Sequence, residues 1–171
     1  MNSFIALLRA VNVGGTGKLP MEDLRALCAA AGFRDARTYI ASGNVVLRSA
    51  GDEAQVKQAL EAALHGYAGK PVGVLVRSAA EMREVLAANP FAESPPNRVV
   101  TIFLDGAPPA DAQAQAKHLR DERIALGWRE LYVDYRDADT MRESKLLIPA
   151  AKAGTGRNMN TVAKLAEMAS G

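Results

Sequence analysis

The order of strand-like and helix-like segments in the first 77 residues constrains the fold more than any other feature of the chain. An apolar run from Ser3 to Val11, in which only Arg9 is charged, predicts a strand buried on both faces. The segments that follow read as helix, strand, strand, helix and strand, at residues 20–31, 36–41, 44–49, 52–64 and 71–77. This order is that of the split β-α-β, or ferredoxin-like, domain. Residues 1–77 are therefore predicted to form a ferredoxin-like subdomain.

The second half of the chain, residues 78–171, predicts a second, smaller α+β subdomain packed against the first. A strand is predicted at 97–104, and two strands at 123–126 and 129–135 form a hairpin around Gly127-Trp128. Helical patterns occupy residues 79–88, 108–119 and 161–169, and the chain from Ser144 onward is also predicted to be helical apart from a Gly-Thr-Gly break at 154–156. The chain as a whole is predicted to be an α+β protein.

Composition excludes several classes of protein. The 171 residues are 49% hydrophobic and 23% charged, which is typical of a globular chain and not of a disordered one. One cysteine and two distant histidines give no disulfide framework and no metal-binding motif, so neither a metal nor a cofactor is predicted. No apolar run is long enough to span a membrane, and the N-terminal apolar stretch lacks a basic region before it. We therefore expect a cytoplasmic protein with no membrane partner.

A glycine-rich segment at residues 12–18 lies between the first strand and the first helix, where backbone N–H groups can hold an anion. The segment matches neither of the two standard nucleotide-binding motifs. A Walker A sequence needs glycine where Asn12 stands and Ser or Thr where Leu19 stands, and the dinucleotide fingerprint needs glycine at Pro20. Both a flexible connection and an anion site remain open from the residues alone.

A second candidate segment, residues 154–161, opens the last helix with two glycines, an arginine and two asparagines. Asn160 or Thr161 is a natural helix cap, which would explain one of these residues. Arg157 beside a positive helix end is suited to a phosphate or carboxylate. Capping alone and ligand contact both remain open.

The basic side chains are concentrated in the same segments. Residues 1–21, 36–51 and 144–166 together carry eight basic and no acidic side chains, although the formal charge of the chain is only +2. This distribution predicts a positive face on a nearly neutral protein. The predicted ligand-binding residues are Asn12, Gly14, Gly15 and Lys18, then Ser42 and Asn44, then Lys145, Arg157, Asn158 and Asn160.

Five motifs identify a family resemblance over essentially the whole chain. They are FIALLRAVNVGG at 4–15, LPMEDLR at 19–25, TYIASGNVV at 38–46, SKL at 144–146 and RNMNTVAKL at 157–165. Together they resemble the bacterial family called domain of unknown function 1697. The resemblance implies an α+β protein with a ferredoxin-like N-terminal part and a C-terminal part packed against it, and it implies no activity.

The chain departs from the pattern of that family at three places. Met159 stands where the family usually has Trp between the two asparagines, so stacking on a base is not available from this position. Ala10 replaces a usual glycine, and residues 140–143 replace a glycine-rich approach to Ser144-Lys145. With aromatic residues at only 5% of the chain, binding of single-stranded nucleic acid is disfavoured.

Three functions follow from these observations. The first is a binding protein for an anionic, phosphate-bearing ligand: a nucleotide, a small phosphorylated molecule or a nucleic acid. The second is an enzyme on a small phosphorylated or nucleotide-like substrate, with Lys18 or Lys145 as acid/base and Arg157 as electrostatic clamp. The third is a scaffold or self-association module in which the motifs only hold the fold together.

Overall fold

A computed structural model describes residues 1–9, 19–39 and 43–170. The chain divides into two compact units, one of Met1–Arg83 with Leu165–Gly171 and one of Glu84–Lys164. The sequence places the division after residue 77, whereas these units divide after Arg83, and the end of the chain belongs with the first unit. The two are described separately as unit 1 and unit 2.

Unit 1 contains a four-stranded antiparallel sheet and two complete helices. Its elements are β1 (Asn2–Leu8), α1 (Met21–Ala30), β2 (Arg34–Tyr39), β3 (Asn44–Ser49), α2 (Glu53–Ala68) and β4 (Val74–Ser78). The strand order across the sheet is β2-β3-β1-β4, with every neighbouring pair antiparallel. This is the ferredoxin-like arrangement that the order of segments predicts.

The central strand β1 is buried on both faces, as its apolar sequence predicts. Phe4, Ala6 and Leu8 point into the main core of the unit, while Ile5 and Leu7 are buried on the other face of the sheet. The helices complete this core with apolar residues at helical spacing: Leu24 and Cys28 from α1, and Val56, Leu60 and Leu64 from α2. Burial of these side chains is the main stabilising contribution to unit 1.

Local sequence signals determine where the helices begin and end. The side chain of Asp52 accepts a hydrogen bond from the Gln55 N–H at 2.9 Å, and the Gln55 side chain accepts one from the Asp52 N–H at 2.8 Å. This reciprocal pair begins α2, which ends at Gly69 with a left-handed φ of 71°. Gly32, with a φ of 93°, follows α1 in the same way. Pro20 lies one position before the first turn of α1, at the cap position itself.

Unit 2 contains a second four-stranded antiparallel sheet. Its strands are β5 (Val99–Phe103), β6 (Arg123–Leu126), β7 (Glu130–Asp134) and β8 (Thr155–Asn158), in the order β6-β7-β5-β8. The helices of this half are α3 (Ala79–Ala87), α4 (Ala138–Glu143) and α5 (Met159–Ser170), and the boundaries between the units fall within α3 and α5. Counted along the chain, both sheets have the strand order 2-3-1-4, and the chain is an α+β protein as predicted.

The prediction of a helix at residues 108–119 is wrong. Residues 110–115 form turns, and Lys117 forms an isolated antiparallel bridge with Leu147. Ala112 is the only residue of this stretch that is buried, so the alanine- and glutamine-rich sequence offers too little apolar surface to hold a helix against the sheet. Its helical propensity is therefore not sufficient to form one.

The sequence-based interpretation also missed two elements near the C-terminus. Residues 144–153 were expected to be helical, but they form an extended segment and a short 3₁₀ turn at Pro149–Ala151. The Gly-Thr-Gly segment at 154–156, which is predicted to interrupt a helix, leads instead into β8, which pairs with β5. The last helix therefore begins at Met159, two residues before its predicted start.

Candidate functional site

Two loops of unit 2 are joined by a short bridge and a side-chain hydrogen bond. The Lys117 N–H donates to the Leu147 carbonyl at 2.8 Å, and the Leu147 N–H donates to the Lys117 carbonyl at 3.0 Å. A few residues away, the Ser144 hydroxyl donates to the carboxylate of Glu122. Lys145 thus lies between two anchored positions of the same loop.

Glu122 is a nearly buried carboxylate that serves as the anchor of this arrangement. One of its oxygens accepts the Ser144 hydroxyl, and the other accepts the Arg120 N–H at 2.7 Å. Burial acts to raise the pKa of Glu122, but the hydrogen bonds from Ser144 and from backbone N–H groups, together with the Arg120 charge, outweigh it and hold the pKa below its ordinary value. The carboxylate is therefore ionised at neutral pH and fixes both loops.

These loops enclose a cleft of about 230 Å³ that carries more basic than acidic groups. It is lined by His118, Leu119, Arg120, Glu143 and Lys145. His118 has a left-handed φ of 62°, a conformation uncommon outside glycine, and it turns the chain directly after the Lys117 bridge. This turn brings three consecutive residues, 118–120, to the cleft.

Of the predicted ligand residues, Arg157 points into the protein and not into this cleft. It lies on β8 opposite Thr101, and only 7% of its surface is exposed. Its guanidinium donates to the Thr155 hydroxyl at 2.7 Å and to the Gly156 carbonyl at 2.9 Å. Burial lowers the pKa of Arg157 to about 10, because the charged form loses its hydration.

Asn158 caps the last helix. Its side-chain oxygen accepts a hydrogen bond from the Thr161 N–H at 3.0 Å. The cap is therefore Asn158, whereas the sequence predicts Asn160 or Thr161. Asn160 is exposed. Met159, at the usual Trp position of the family motif, is buried with its sulfur 3.0 Å from the Thr101 hydroxyl.

Close packing of β8 against β5 explains one of the glycines beside this motif. A Cβ on Gly154 would lie 2.5 Å from the Phe103 carbonyl oxygen, which is a backbone atom that cannot turn aside. Close packing alone therefore requires glycine at position 154, and a ligand is not needed to explain this residue. With Asn158 as a helix cap, much of the segment at 154–161 is accounted for by the fold of unit 2.

In unit 1, the structure describes only one of the predicted ligand residues. Asn44 is fully buried at the start of β3, and its side-chain N–H donates to the Tyr39 carbonyl at 2.9 Å across the β2–β3 connection. The remaining predicted residues lie outside the described residues: Asn12, Gly14, Gly15, Lys18 and Ser42. The predicted site joining all ten residues stays a prediction.

A second polar cluster in unit 2 surrounds the fully buried side chain of Asp134. Its carboxylate accepts hydrogen bonds from Arg123 at 2.5 and 3.0 Å, from the Ser94 hydroxyl at 2.8 Å and from the Arg136 N–H at 2.8 Å. Arg123 also pairs with Glu93 at 2.6 Å. These contacts join β6, β7 and the segment before β5. We therefore assign the cluster a role in stabilising the fold of unit 2.

Other chemically active groups are few in the described residues. Cys28 is buried in the core of unit 1, and burial raises its pKa to about 11, so little of the nucleophilic thiolate forms at neutral pH. Among the described residues, no three His, Cys, Asp or Glu side chains are grouped so that they could hold a metal ion. Within the same residues, no helix has the length and hydropathy to cross a membrane.

His118 and Arg120 were missed by the sequence analysis. His118 lies in the helix predicted at 108–119, which does not form, and Arg120 follows directly after that segment. The local signal is a basic stretch that contains Lys117, His118 and Arg120, and such a stretch is by itself typical of a solvated surface. Lys145, which lines the same cleft, lies more than twenty residues further along the chain and is brought near them only by tertiary structure.

The two antiparallel sheets and the basic cleft define a two-unit α+β protein with a candidate anion site. The chain belongs to the family described as "Protein of unknown function (DUF1697)", whose match covers residues 1–132. A similar solved structure is that of the conserved bacterial protein SP0830 from Streptococcus pneumoniae, with a TM-score of 0.83 and 23% sequence identity. The similarity covers 100% of this chain and 99% of that one, and it shows the fold. A search of the curated proteins finds no match.

Proposed function

We propose that the protein is a binding protein for a small anionic, phosphate-bearing ligand, and that the cleft of unit 2 is its binding site. The observation that carries the proposal is the convergence of His118, Arg120 and Lys145 on one cavity. Arginine and lysine donate charge-assisted hydrogen bonds to phosphate oxygens, and an imidazole N–H can add a further donor. Because the cavity is concave, these donors can reach one ligand from several sides.

The anchored loops support this proposal because they order the backbone that carries the donors before any ligand binds. The Lys117–Leu147 bridge and the Glu122–Ser144 hydrogen bond hold both walls of the cleft. Immobilising a flexible side chain on binding costs about 0.5–1.5 kcal/mol. Because the loops are already ordered, the ligand has to offset this side-chain cost but not a further cost of loop ordering.

The proposal keeps Lys145 from the predicted ligand residues and adds His118 and Arg120. Asn44, Arg157 and Asn158 make internal hydrogen bonds, which favours a structural role for them. We also place the protein in the bacterial cytoplasm. Its single cysteine, a buried thiol, fits a reducing compartment.

The test is a calorimetric titration of the full chain with inorganic phosphate. Lys145→Ala is expected to weaken phosphate binding by roughly tenfold or more, since hydrogen bonds to charged groups contribute about 1.5–3 kcal/mol. Lys70→Ala, which removes an exposed lysine from unit 1, is the matched control and should leave the affinity unchanged.

An equal loss of affinity in the two lysine variants would contradict the proposed site. No binding of phosphate, sugar phosphates or nucleotides by the unaltered chain would contradict the function and favour a scaffold. An enzyme is the second candidate, because an imidazole and a carboxylate, His118 and Glu143, share the cavity with Lys145. Release of phosphate from a small phosphomonoester, lost in His118→Asn, would favour that candidate.

A further inference from the structure

The five residues of the cleft differ in chemistry, and the differences restrict what it can bind. Three carry nitrogen donors, one is a carboxylate, Glu143, and one is apolar, Leu119, with 49% of its surface exposed. Resting on the proposed function above, we infer that the ligand is a small phosphomonoester whose short carbon chain ends in an amine. Phosphoethanolamine represents this class of ligand.

The size of the cleft favours a ligand of a few carbon atoms. Its volume of about 230 Å³ is below the range of roughly 300–1,000 Å³ in which proteins enclose drug-sized molecules. A phosphate group with a two- or three-carbon chain matches this volume better than a nucleotide does. The exposed side chain of Leu119 supplies an apolar contact for that chain.

The charges of the cleft favour a dianion that also carries a donor group. Arg120 and Lys145 are cations, His118 can donate to phosphate, and the charge of Glu143 opposes only part of this positive potential. An ionised carboxylate accepts hydrogen bonds and repels a second anion. Glu143 therefore selects an ammonium group at the end of the ligand away from the phosphate.

Glu143 is available for this contact. It is the last residue of α4, its side chain is exposed, and among the described residues it takes part in no ion pair. The neighbouring Arg142 is paired with Asp139 at 2.5 Å instead. The carboxylate of Glu143 can therefore turn to a bound ammonium group without breaking an internal contact.

The test compares phosphoethanolamine with ethyl phosphate, which has the same phosphate and chain length but no amine. We expect phosphoethanolamine to bind the full chain at least about tenfold more tightly, as a charge-assisted contact contributes about 1.5 kcal/mol or more. In Glu143→Gln, which keeps the side-chain size, the two compounds should bind equally. Glu22→Gln, an exposed glutamate of α1, is the control and should preserve the difference.

The outcomes separate this inference from the proposed function. Equal binding of both compounds that still depends on Lys145 would overturn the amine-bearing ligand and leave the anion site intact. No binding of either compound would overturn this inference, and it would overturn the proposed function as well if phosphate, sugar phosphates and nucleotides also fail to bind. Glycerophosphoethanolamine carries a diester, as a phospholipid headgroup does, and should bind more weakly than the monoester. Equal or tighter binding of this diester would overturn the monoester assignment.

Discussion

Replacing Asp134 by alanine is expected to lower the free energy of unfolding by about 2–4 kcal/mol. The fully buried carboxylate accepts hydrogen bonds from Arg123, Ser94 and the Arg136 N–H, and all three donors lose this acceptor in the variant, although Arg123 keeps its pair with Glu93. The Arg123 side chain is 36% exposed, so water recovers part of the loss, and the full cost of an unpaired buried charge is not reached. Denaturant unfolding of the full chain measures the change.

The matched control for this variant is Asp139→Ala in the same unit. Asp139 also pairs with an arginine, Arg142, at 2.5 Å, but the two side chains are 78% and 66% exposed. Such a surface pair contributes less than about 1 kcal/mol. Equal destabilisation by the two substitutions would show that the buried ion pair of Asp134 contributes no more to the free energy of unfolding than an exposed pair does.

The same carboxylate makes stability depend on acid pH. Burial acts to raise the pKa of Asp134, but the hydrogen bonds from Arg123, Arg136 and Ser94 outweigh it and hold the pKa below the ordinary value of 3.8. The unfolded chain therefore binds this proton at a higher pH than the folded one. The stabilisation is complete above the ordinary pKa and is lost as the pH falls through the folded-state pKa. This loss should be smaller in Asp134→Ala.

Replacing Glu122 by alanine is expected to affect both stability and ligand binding. The variant leaves the Ser144 hydroxyl and the Arg120 N–H without their acceptor, which costs about 1–3 kcal/mol of stability. Because the loop that carries Lys145 is then less ordered, phosphate binding should weaken by roughly 2- to 12-fold, the equivalent of about 0.5–1.5 kcal/mol. Denaturant unfolding and calorimetry on the same preparation measure the two effects.

Two comparisons distinguish the positioning of the cleft from a general loss of stability. Glu122→Gln keeps an oxygen for the Arg120 N–H and should recover most of the phosphate affinity. Asp134→Ala is destabilised to a similar degree but leaves the loops of the cleft in place, so it should bind phosphate like the unaltered chain. Weak binding by Asp134→Ala would mean that stability, and not Glu122 itself, determines the affinity.

The fold of unit 1 could be predicted from its sequence because local and tertiary preferences agree there. The apolar run of β1, the cap at Asp52 and the glycine at Gly69 each favour the structure that forms. In unit 2 they conflict. Residues 108–119 have helical propensity but little apolar surface, and β8 gains its strand conformation from pairing with β5. Pairing between distant segments is not visible in local sequence patterns.

The candidate site was less predictable for a related physical reason. Lys145 was identified from its motif, but its neighbours His118 and Arg120 were not, because a bridge between Lys117 and Leu147 brings the two loops together. Arg157 and Asn158 have the residue types of an anion site, yet their side chains bond within unit 2. Residue type indicates what a group can bind, and only tertiary structure determines what it contacts.

The most direct measurement is a titration of the isotopically labelled full chain with inorganic phosphate, followed by amide resonances. Binding in the cleft should shift the resonances of residues 118–120 and 143–145 together, with one common dissociation constant. The buried residues around Asp134 should remain unchanged. Shifts confined to other residues, or no saturable shift at residues 118–120 and 143–145, would contradict the cleft as the anion-binding site.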